Sequence, residues 1–541
     1  MVPVRYHPNF KRHSRLERFA IGEDMEIIEG KALKLKLRNP HKVLNVIPKS
    51  ALLEEGDVST VMVHWGLEEA QVLKNLRIKN VPSPIVAKYS WPGIYQPFTH
   101  QKQTSAFFTL HRRAFCFNEP GTGKTLSVTW ACDYLMNTKH IKRVLVICPL
   151  SIMQAAWQND IFKGAMHRRV GIAYGSKEKR AQIINSDAEF VIINFDGVAV
   201  VEDVIANAGF DMIVIDEANA YKTATTTRWK VLNRILKPNM WLWMLTGTPA
   251  SQSPLDAYGL AKLLNPSATP RSFTMYRDQV MHKITQFKWV PKVDAEQVVN
   301  SLLQPAIRFT KDQCLDLPDM LYTEREVPLT PQQLKYYNKL RKVMAVQAAG
   351  EEITAVNAAA KLNKLLQISC GAVYTDNDEV VSFDASNRIE VLKEVIDEST
   401  NKVLVFVPFR HSIELLYDNL RKDNYTVEVI HGGVPAGRRT DIFKRFQEDA
   451  DPRVLVIQPQ AASHGVTLHA ANTVVWWSPI TSYETYAQAN ARVHRAGQTN
   501  KCLVVKLMGS PVEAKLYKAL DSKEQAQFNL MELYKDELER T

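Results

Sequence analysis

"FCFNEPGTGKT", residues 115–125, is the stretch on which the fold turns. It closes in Gly-x-Gly-Lys-Thr, the end of the phosphate-binding pattern G-x-x-x-x-G-K-[ST], but Asn118 stands where the first glycine belongs. Glycines at 121 and 123 let backbone N–H groups close around phosphate oxygens, and a helix opening behind them turns its positive end to the same charge. Lys124 is then placed for the outer phosphates and the Thr125 hydroxyl for Mg²⁺. Such a loop needs a strand before it and a helix after it. "RRAFCF" and "TLSVTWACDYLM" supply them, so Asn118 reads as a variation where sterics are less demanding.

A loop of this kind works with a carboxylate at the end of another buried strand. "DMIVIDEANA" provides two: Asp216, placed to bind Mg²⁺ through water, and Glu217, placed to orient and deprotonate an attacking water. Far along the chain, "QANARVHRAGQ" carries Gln488, Arg492 and Arg495, with the arginines spaced to share one helix face. Arginines brought in from a second domain stabilise charge on a transferring phosphoryl group and make domain closure depend on nucleotide.

The rest of the chain fits around these signals. Residues 1–90 read as a small α+β unit, with strands in "MEIIEGKALKLKLRN" and "HKVLNVIP", a helix in "LEEAQVLKNLRIK", and an extended Pro-rich connector in "VPSPIVAKYSWPGIYQP". Residues 91–265 alternate short apolar runs ("RRAFCF", "KRVLVICP", "AEFVIINF", "DMIVIDEA", "NMWLWMLTGTP") with helical sequence, the rhythm of a parallel sheet wrapped by helices. Residues 266–390 are polar and helical. The rhythm returns over 391–520 in "NKVLVFVP", "YTVEVIHGG", "PRVLVIQP", "NTVVWWSP" and "KCLVVKL", and a charged helix is expected over 521–541.

The net charge is +11, and the first 90 residues hold 15 Lys and Arg against 10 Asp and Glu, a balance that suits a polyanionic partner, nucleic acid first. Six scattered cysteines without a C-x-x-C pair suggest neither a zinc site nor a disulfide framework and point to a reducing compartment. "MVPVRYHPNFKRHSRLERF" lacks an apolar signal core, and no run of 18 apolar residues exists, so a cytoplasmic protein without membrane spans is expected, of bacterial or infected-host cytosol.

Taken together, residues 98–520 resemble superfamily-2 helicase-type ATPases, and among them the Swi/Snf-type DNA translocases in a compact bacterial or phage form. "FTHQKQ" is similar to the Q motif, "CPLSIMQAAW" and "VIINFD" to motifs Ia and Ib, "DEAN" to motif II, and "LTGTPASQSP" to motif III. "IRFTKDQCLDLPDMLYTEREVPLTPQQLKYY", with its R-x-x-K and Leu-Pro, resembles the family's inter-lobe segment. "HGGVPAGRRTDIFKRFQ", "SHGVTLHAANTVVWWSP" and "QANARVHRAGQ" resemble second-lobe elements, the last two being motifs V and VI. Two residues depart from the pattern: Asn219 replaces a histidine in motif II, and Ala491 a glycine in motif VI.

The resemblance implies an α/β fold of two tandem RecA-like parallel-sheet lobes, joined by a helical segment and preceded by the small N-terminal domain. It implies ATP and Mg²⁺ as ligands, with Gln101, Gly121, Thr122, Gly123, Lys124, Thr125 and Gln488 around the nucleotide and Asp216, Glu217, Arg492 and Arg495 in catalysis. Thr246, Gly247 and Thr248 would couple that site to the track, and Ser151, Trp157, Asn194, Lys222, Arg410, Ser463 and Thr467 would face nucleic acid. The implied activity is ATP-driven translocation on double-stranded DNA, remodelling forks or junctions, by a protein acting as a monomer. The alternatives are a strand-separating DNA or RNA helicase and an ATP-gated nucleic-acid scaffold.

Overall fold

The computed structural model describes residues 25–521, except 248, 251–252, 286–288, 315–317, 351–354, 375–379, 463–465 and 496. The helix expected over 521–541 therefore lies outside the described residues beyond Asp521. Two compact units emerge: the described residues up to Trp91 together with Ser105–His111, and Pro92–Thr104 together with those from Arg112 onward.

In the first unit, strands β1 (Met25–Ile28), β2 (Ala32–Leu37), β3 (Ser50–Glu54) and β4 (Ser59–His64) form an antiparallel sheet in the order β1-β2-β4-β3. Alternation places Leu33, Leu35, Val61 and Val63 in the core with Trp65, Ala70 and Leu73. It turns Lys34 and Lys36 to the opposite face, across from Met62 and Thr60. Two local expectations are corrected. "HKVLNVIP" holds a short helix, His41–Leu44, entered at Pro40, whose φ of −66° already suits a helical turn. The Pro-rich connector contains another, Ile85–Lys88, anchored by buried Ile85.

The second unit holds two parallel sheets, the tandem RecA-like lobes. The first contains β5 (Arg113–Cys116), β6 (Val144–Cys148), β7 (Val170–Ala173), β8 (Phe190–Asn194), β9 (Met212–Asp216) and β10 (Trp241–Leu245). After a hairpin of β11 (Met281–Lys283) and β12 (Trp289–Pro291), β13 (Ala306–Ile307) completes the sheet, in the order β13-β5-β10-β9-β6-β8-β7. Strands β6, β9 and β10 are buried at every position, as continuous apolar runs require when helices cover both faces.

The second lobe begins with β14 (Met320–Glu326). A small hairpin of β15 (Ala372–Tyr374) and β16 (Val380–Ser382) follows, then β17 (Lys402–Phe406), β18 (Val427–Ile430), β19 (Val454–Ile457), β20 (Ala471–Trp476) and β21 (Cys502–Met508). Its order is β14-β21-β20-β17-β19-β18. Residues 266–390 are helix-rich, as in Phe273–Val280, Ala295–Leu302, Pro331–Gly350 and Ala355–Ser369, and they also give one edge strand to each lobe. The six cysteines are unpaired. No helix among the described residues is long and apolar enough to cross a membrane.

Candidate active site

Strands β5, β9 and β10 lie side by side and parallel, so their C-terminal ends deliver the 117–123 loop, Asp216 and Thr246 to one rim of the first sheet. That rim is where parallel α/β sheets bind ligands. Gly121 and Gly123 have φ of +90° and +80°, which only glycine adopts without strain. A Cβ at Gly123 would lie 2.0 Å from Gln101 Nε2. The Lys124 ammonium donates to the carbonyls of Asn118 (2.8 Å) and Glu119 (3.3 Å), closing the loop upon itself. His100 donates to the Thr122 carbonyl at 2.7 Å. Gln101 Nε2 reaches the same carbonyl at 3.5 Å, while its Oε1 accepts from the Phe98 amide. Thr125 opens the following helix and is half-buried.

Asn118 has more to do than fill an undemanding position. It is 1 % exposed; Nδ2 donates to Thr104 Oγ1 at 2.9 Å, and Oδ1 accepts from the Phe309 amide at 3.0 Å. The side chain thus ties the loop to the Q-motif helix on one side and to the segment after β13 on the other. A glycine could do neither.

Asp216 ends β9 buried, its Oδ2 accepting from Trp157 Nε1 (2.9 Å) and its Oδ1 from the Glu217 amide (3.0 Å). Burial pushes its carboxyl up, against Lys124 and the Trp157 hydrogen bond. Glu217 adopts a left-handed φ of +54° and is pushed up to about 7, by burial first and then by the charge of Asp216. A strained acid with a pKa near neutrality is the pattern of a group poised to exchange a proton.

The second lobe supplies the facing wall. Gln488 Nε2 donates to Glu217 Oε2 and to Glu484 Oε1, both at 3.4 Å, and Asn219 Nδ2 donates to Glu484 Oε1 at 3.0 Å. Asn219 therefore links motif II to motif VI through Glu484. Gln488 lies on the helix Tyr483–Asn490, but that helix ends before the arginines, so Arg492 and Arg495 project from the turns after it rather than from one helix face. A Cβ on Gly121 would stand 3.3 Å from Arg495 Cβ and 3.6 Å from Lys311 Cε. Arg492 is lowered to about 10, by burial and then by Arg495. Lys311 is lowered to about 8 by burial, with Glu119 opposing and Arg495, Arg492 and Lys124 adding to the fall.

Lys124, Arg492 and Arg495 crowd a glycine loop, and Arg492 is lowered by burial and by Arg495; a polyphosphate fits such a cluster and would relieve that cost. Two carboxylates raised by burial, Glu217 also by the charge of Asp216, fit a divalent cation shared with phosphate oxygens; Mg²⁺ is held in this way, by one or two carboxylates rather than by an all-protein cage. Thr125 and Asp216 are the residues that could hold it.

The remaining expected residues are dispersed. Thr246 is fully buried, its amide donating to the Cys116 carbonyl, and a Cβ on Gly247 would meet Pro120 Cδ at 2.7 Å, so motif III packs directly on the loop. Trp157, expected to face nucleic acid, is fully buried on Asp216 because its indole N–H has its acceptor there; that expectation is corrected. Asn194 Oδ1 accepts from Arg180 at 2.9 Å, Lys222 pairs with Asp256 at 3.3 Å, exposed Arg410 pairs with Glu414 at 3.1 Å, and Thr467 is half-buried. Thr248, Ser463 and the side chain of Ser151 lie outside the described residues. Sequence reasoning missed Glu484, Lys311 and the Trp157–Asp216 bond. The R-x-x-K pattern was the one signal available for Lys311.

Residues 96–371 match the SNF2-related domain, and residues 387–497 match the helicase conserved C-terminal domain. An uncharacterised ATP-dependent helicase of Mycoplasma genitalium is 26% identical over 402 residues, 72% of this chain and 37% of the relative, so the chain spans little more than a third of that protein's length. The putative protein p41 of Acyrthosiphon pisum secondary endosymbiont phage 1 is 24% identical over 69% of this chain and 83% of its own. Among solved structures, the Sulfolobus solfataricus SWI2/SNF2 ATPase core in complex with dsDNA is 23% identical, covering 80% of this chain and 92% of that one with a TM-score of 0.40. With the first of the two domains matching just over half of its residues, the protein belongs to the SNF2-related family of helicase-type proteins.

Proposed function

We propose that the protein is an ATP-dependent double-stranded DNA translocase that remodels branched DNA. The observation that carries this reading is the chain of contacts Glu217–Gln488–Glu484–Asn219, which joins the acid of one lobe to motif VI of the other. A nucleotide seated at that junction would control how the lobes close, and repeated closure is a step along a track. In this reading Lys124, Arg492 and Arg495 balance phosphate charge, and the left-handed glycines let the loop's amides approach it. The carboxylate of Glu217, raised to about 7, takes the proton of the attacking water on Oε and returns it to solvent after phosphate leaves. Mg²⁺, held by Thr125 and Asp216, would supply neutralisation of the transferring phosphoryl charge. Thr246 and Gly247, packed on the loop through Pro120, pass loop movement toward the track.

DNA as the track is supported by the net charge of +11 and by exposed Arg410 on the second lobe. Asn194, Lys222 and Thr467, together with Ser151 and Ser463, remain assigned to the phosphate backbone, which positions a protein without reading sequence. Strand separation is a second reading. It has one observation in its favour, the β11–β12 hairpin, braced by Arg277 lying 4.0 Å over the Trp289 ring.

Steady-state ATP hydrolysis without nucleic acid, and with single strands, duplex, four-way junctions and RNA, tests the proposal, with Lys124→Ala as the blank. Stimulation greatest with duplex or junction is expected. Stimulation mainly by single strands or RNA would favour strand separation, and none at all would leave only the ATP-gated scaffold.

A further inference from the structure

Lys311 occupies a position that the assignments above leave without a role. It lies between β13, the last strand of the first sheet, and β14, the first of the second, on the segment that crosses from one lobe to the other. Its main-chain amide donates to Glu119 Oε2 at 3.1 Å, inside the phosphate loop. Its ammonium donates to the carbonyl of His494 at 3.1 Å, between the two arginines of motif VI. One residue thus holds the loop with its backbone and the arginine-bearing turn with its side chain. Gly121 lies beside it, a Cβ there falling at an ordinary contact distance of 3.6 Å from Lys311 Cε.

We propose that Lys311 is a nucleotide-sensing positioning residue, whose side-chain amine holds the 492–495 turn against the loop and goes from partly neutral to fully protonated when a polyphosphate enters. This inference rests on the nucleotide site of the preceding section. The electrostatics follow from what surrounds the amine. From the loop and its helix come Glu119 and Lys124; from the motif VI turn come Arg492, Arg495 and His494; from its own short helix and from β21 come Asp312, Cys314 and Cys502. Burial first, and then three cations against one pulling carboxylate, lower the amine to about 8. A bound polyphosphate reverses that balance, so the neutral fraction of Lys311 must take up a proton on binding.

The neighbours leave a clear window. Both cysteine thiols are raised to about 11 by burial, and His494 is lowered below its usual range, so none of them titrates between pH 8 and 9. Glu217 at about 7 and Asp160 at about 6 are largely ionised there, and proton release from them on metal binding belongs to lower pH. A group with a pKa of about 8 is half neutral at pH 8 and about nine-tenths neutral at pH 9.

The test is titration calorimetry of the full chain with the magnesium complex of a non-hydrolysable ATP analogue, at pH 7, 8 and 9, in two buffers of unlike ionisation enthalpy. The wild type should take up about half a proton at pH 8 and more at pH 9. Lys311→Arg, whose guanidinium stays charged throughout, should bind within about threefold of wild type with uptake near zero. Lys311→Met should also lose uptake and bind about tenfold more weakly. Uptake below about 0.2 proton at both pH 8 and pH 9 in the wild type overturns the proposal. Uptake that persists in Lys311→Arg does the same. Binding heat without proton uptake sinks this inference alone, whereas no binding in any buffer removes the nucleotide site and this inference with it.

Discussion

Replacing Asn118 with glycine restores the consensus loop, and on this structure it should weaken the first lobe. The side chain is 1 % exposed and is hydrogen-bonded at both ends. Its loss leaves the Phe309 amide without its acceptor, and a buried unsatisfied donor costs about 1–3 kcal/mol. Thr104 Oγ1 loses a donor but still donates to the His100 carbonyl at 2.7 Å, so that end adds little. Glycine brings roughly a further 0.5–1 kcal/mol of unfolded-state entropy. The expected cost is therefore about 1.5–4 kcal/mol for Asn118→Gly, and about 1–3 kcal/mol for Asn118→Ala, which keeps a Cβ. Asn118→Asp keeps an acceptor for Phe309 but buries a carboxylate against Thr104 Oγ1, and should cost at least as much as alanine. Urea unfolding of the first-lobe transition measures the cost, and hydrogen exchange across residues 305–311 should accelerate in step. A glycine variant as stable as wild type, with unchanged exchange at Phe309, would refute the explanation of why the consensus residue is missing.

Other consequences follow from particular contacts. Arg388 and Glu513 form a buried pair at 2.6 Å, with Arg388 also donating to the carbonyls of Ser369, Trp477 and Leu507; Arg388→Met strands the carboxylate and should cost the second lobe about 3–5 kcal/mol by urea unfolding. His111, buried with its ring nitrogen on the Phe107 carbonyl at 2.7 Å, is lowered to about 4, chiefly by burial. Its folded pKa lies below the unfolded one, so its contribution is present above pH 6.5 and is lost as pH falls toward 4, roughly 3 kcal/mol in all. His111→Gln should flatten the melting temperature of the first unit across that range, and an equally steep acid loss in the variant would contradict it. Glu484→Ala removes the acceptor shared by Asn219 and Gln488; it should lower kcat about tenfold with nucleotide affinity nearly unchanged, and a loss confined to affinity would contradict the lobe-bridging role.

The parts of the fold legible in the sequence are those where burial dictates residue type. "VLVIC", "MIVID" and "WLWML" announce themselves because strands covered on both faces admit only apolar side chains. The edge strands are silent. β14 reads "MLYTERE", half-charged and mostly exposed, and joins the sheet through its backbone ladder with β21, which any residue type can form. β13 is two residues long, too short for any periodicity. "HKVLNVIP" has strand-like composition, yet Pro40 and the packing of Val43 in the first core make its beginning a helical turn.

The site divides in the same way. Lys124, Asp216, Glu217, Gln488, Arg492 and Arg495 were readable because each sits in a short stretch whose residue types and flanking strand or helix pattern mark it locally. The contacts of Lys311 with His494, Glu484 with Asn219 and Trp157 with Asp216 were not, since those partners are 183, 265 and 59 residues apart and no spacing rule spans such distances. Trp157 shows the cost: the aromatic that ends the motif Ia stretch was expected to face nucleic acid, and its indole N–H donates to Asp216 instead.

The central claim is that nucleotide-controlled closure of the two lobes drives movement along duplex DNA, and displacement of a third strand from a triplex measures that movement directly. A duplex carrying a triplex-forming oligonucleotide at one end is incubated with protein and ATP, and release of the labelled third strand is followed in time. Release that requires ATP, is lost in Lys124→Ala, and slows as the duplex approach is lengthened is the predicted result. No release at an enzyme concentration that hydrolyses ATP on the same duplex would contradict the account, because hydrolysis would then occur without travel.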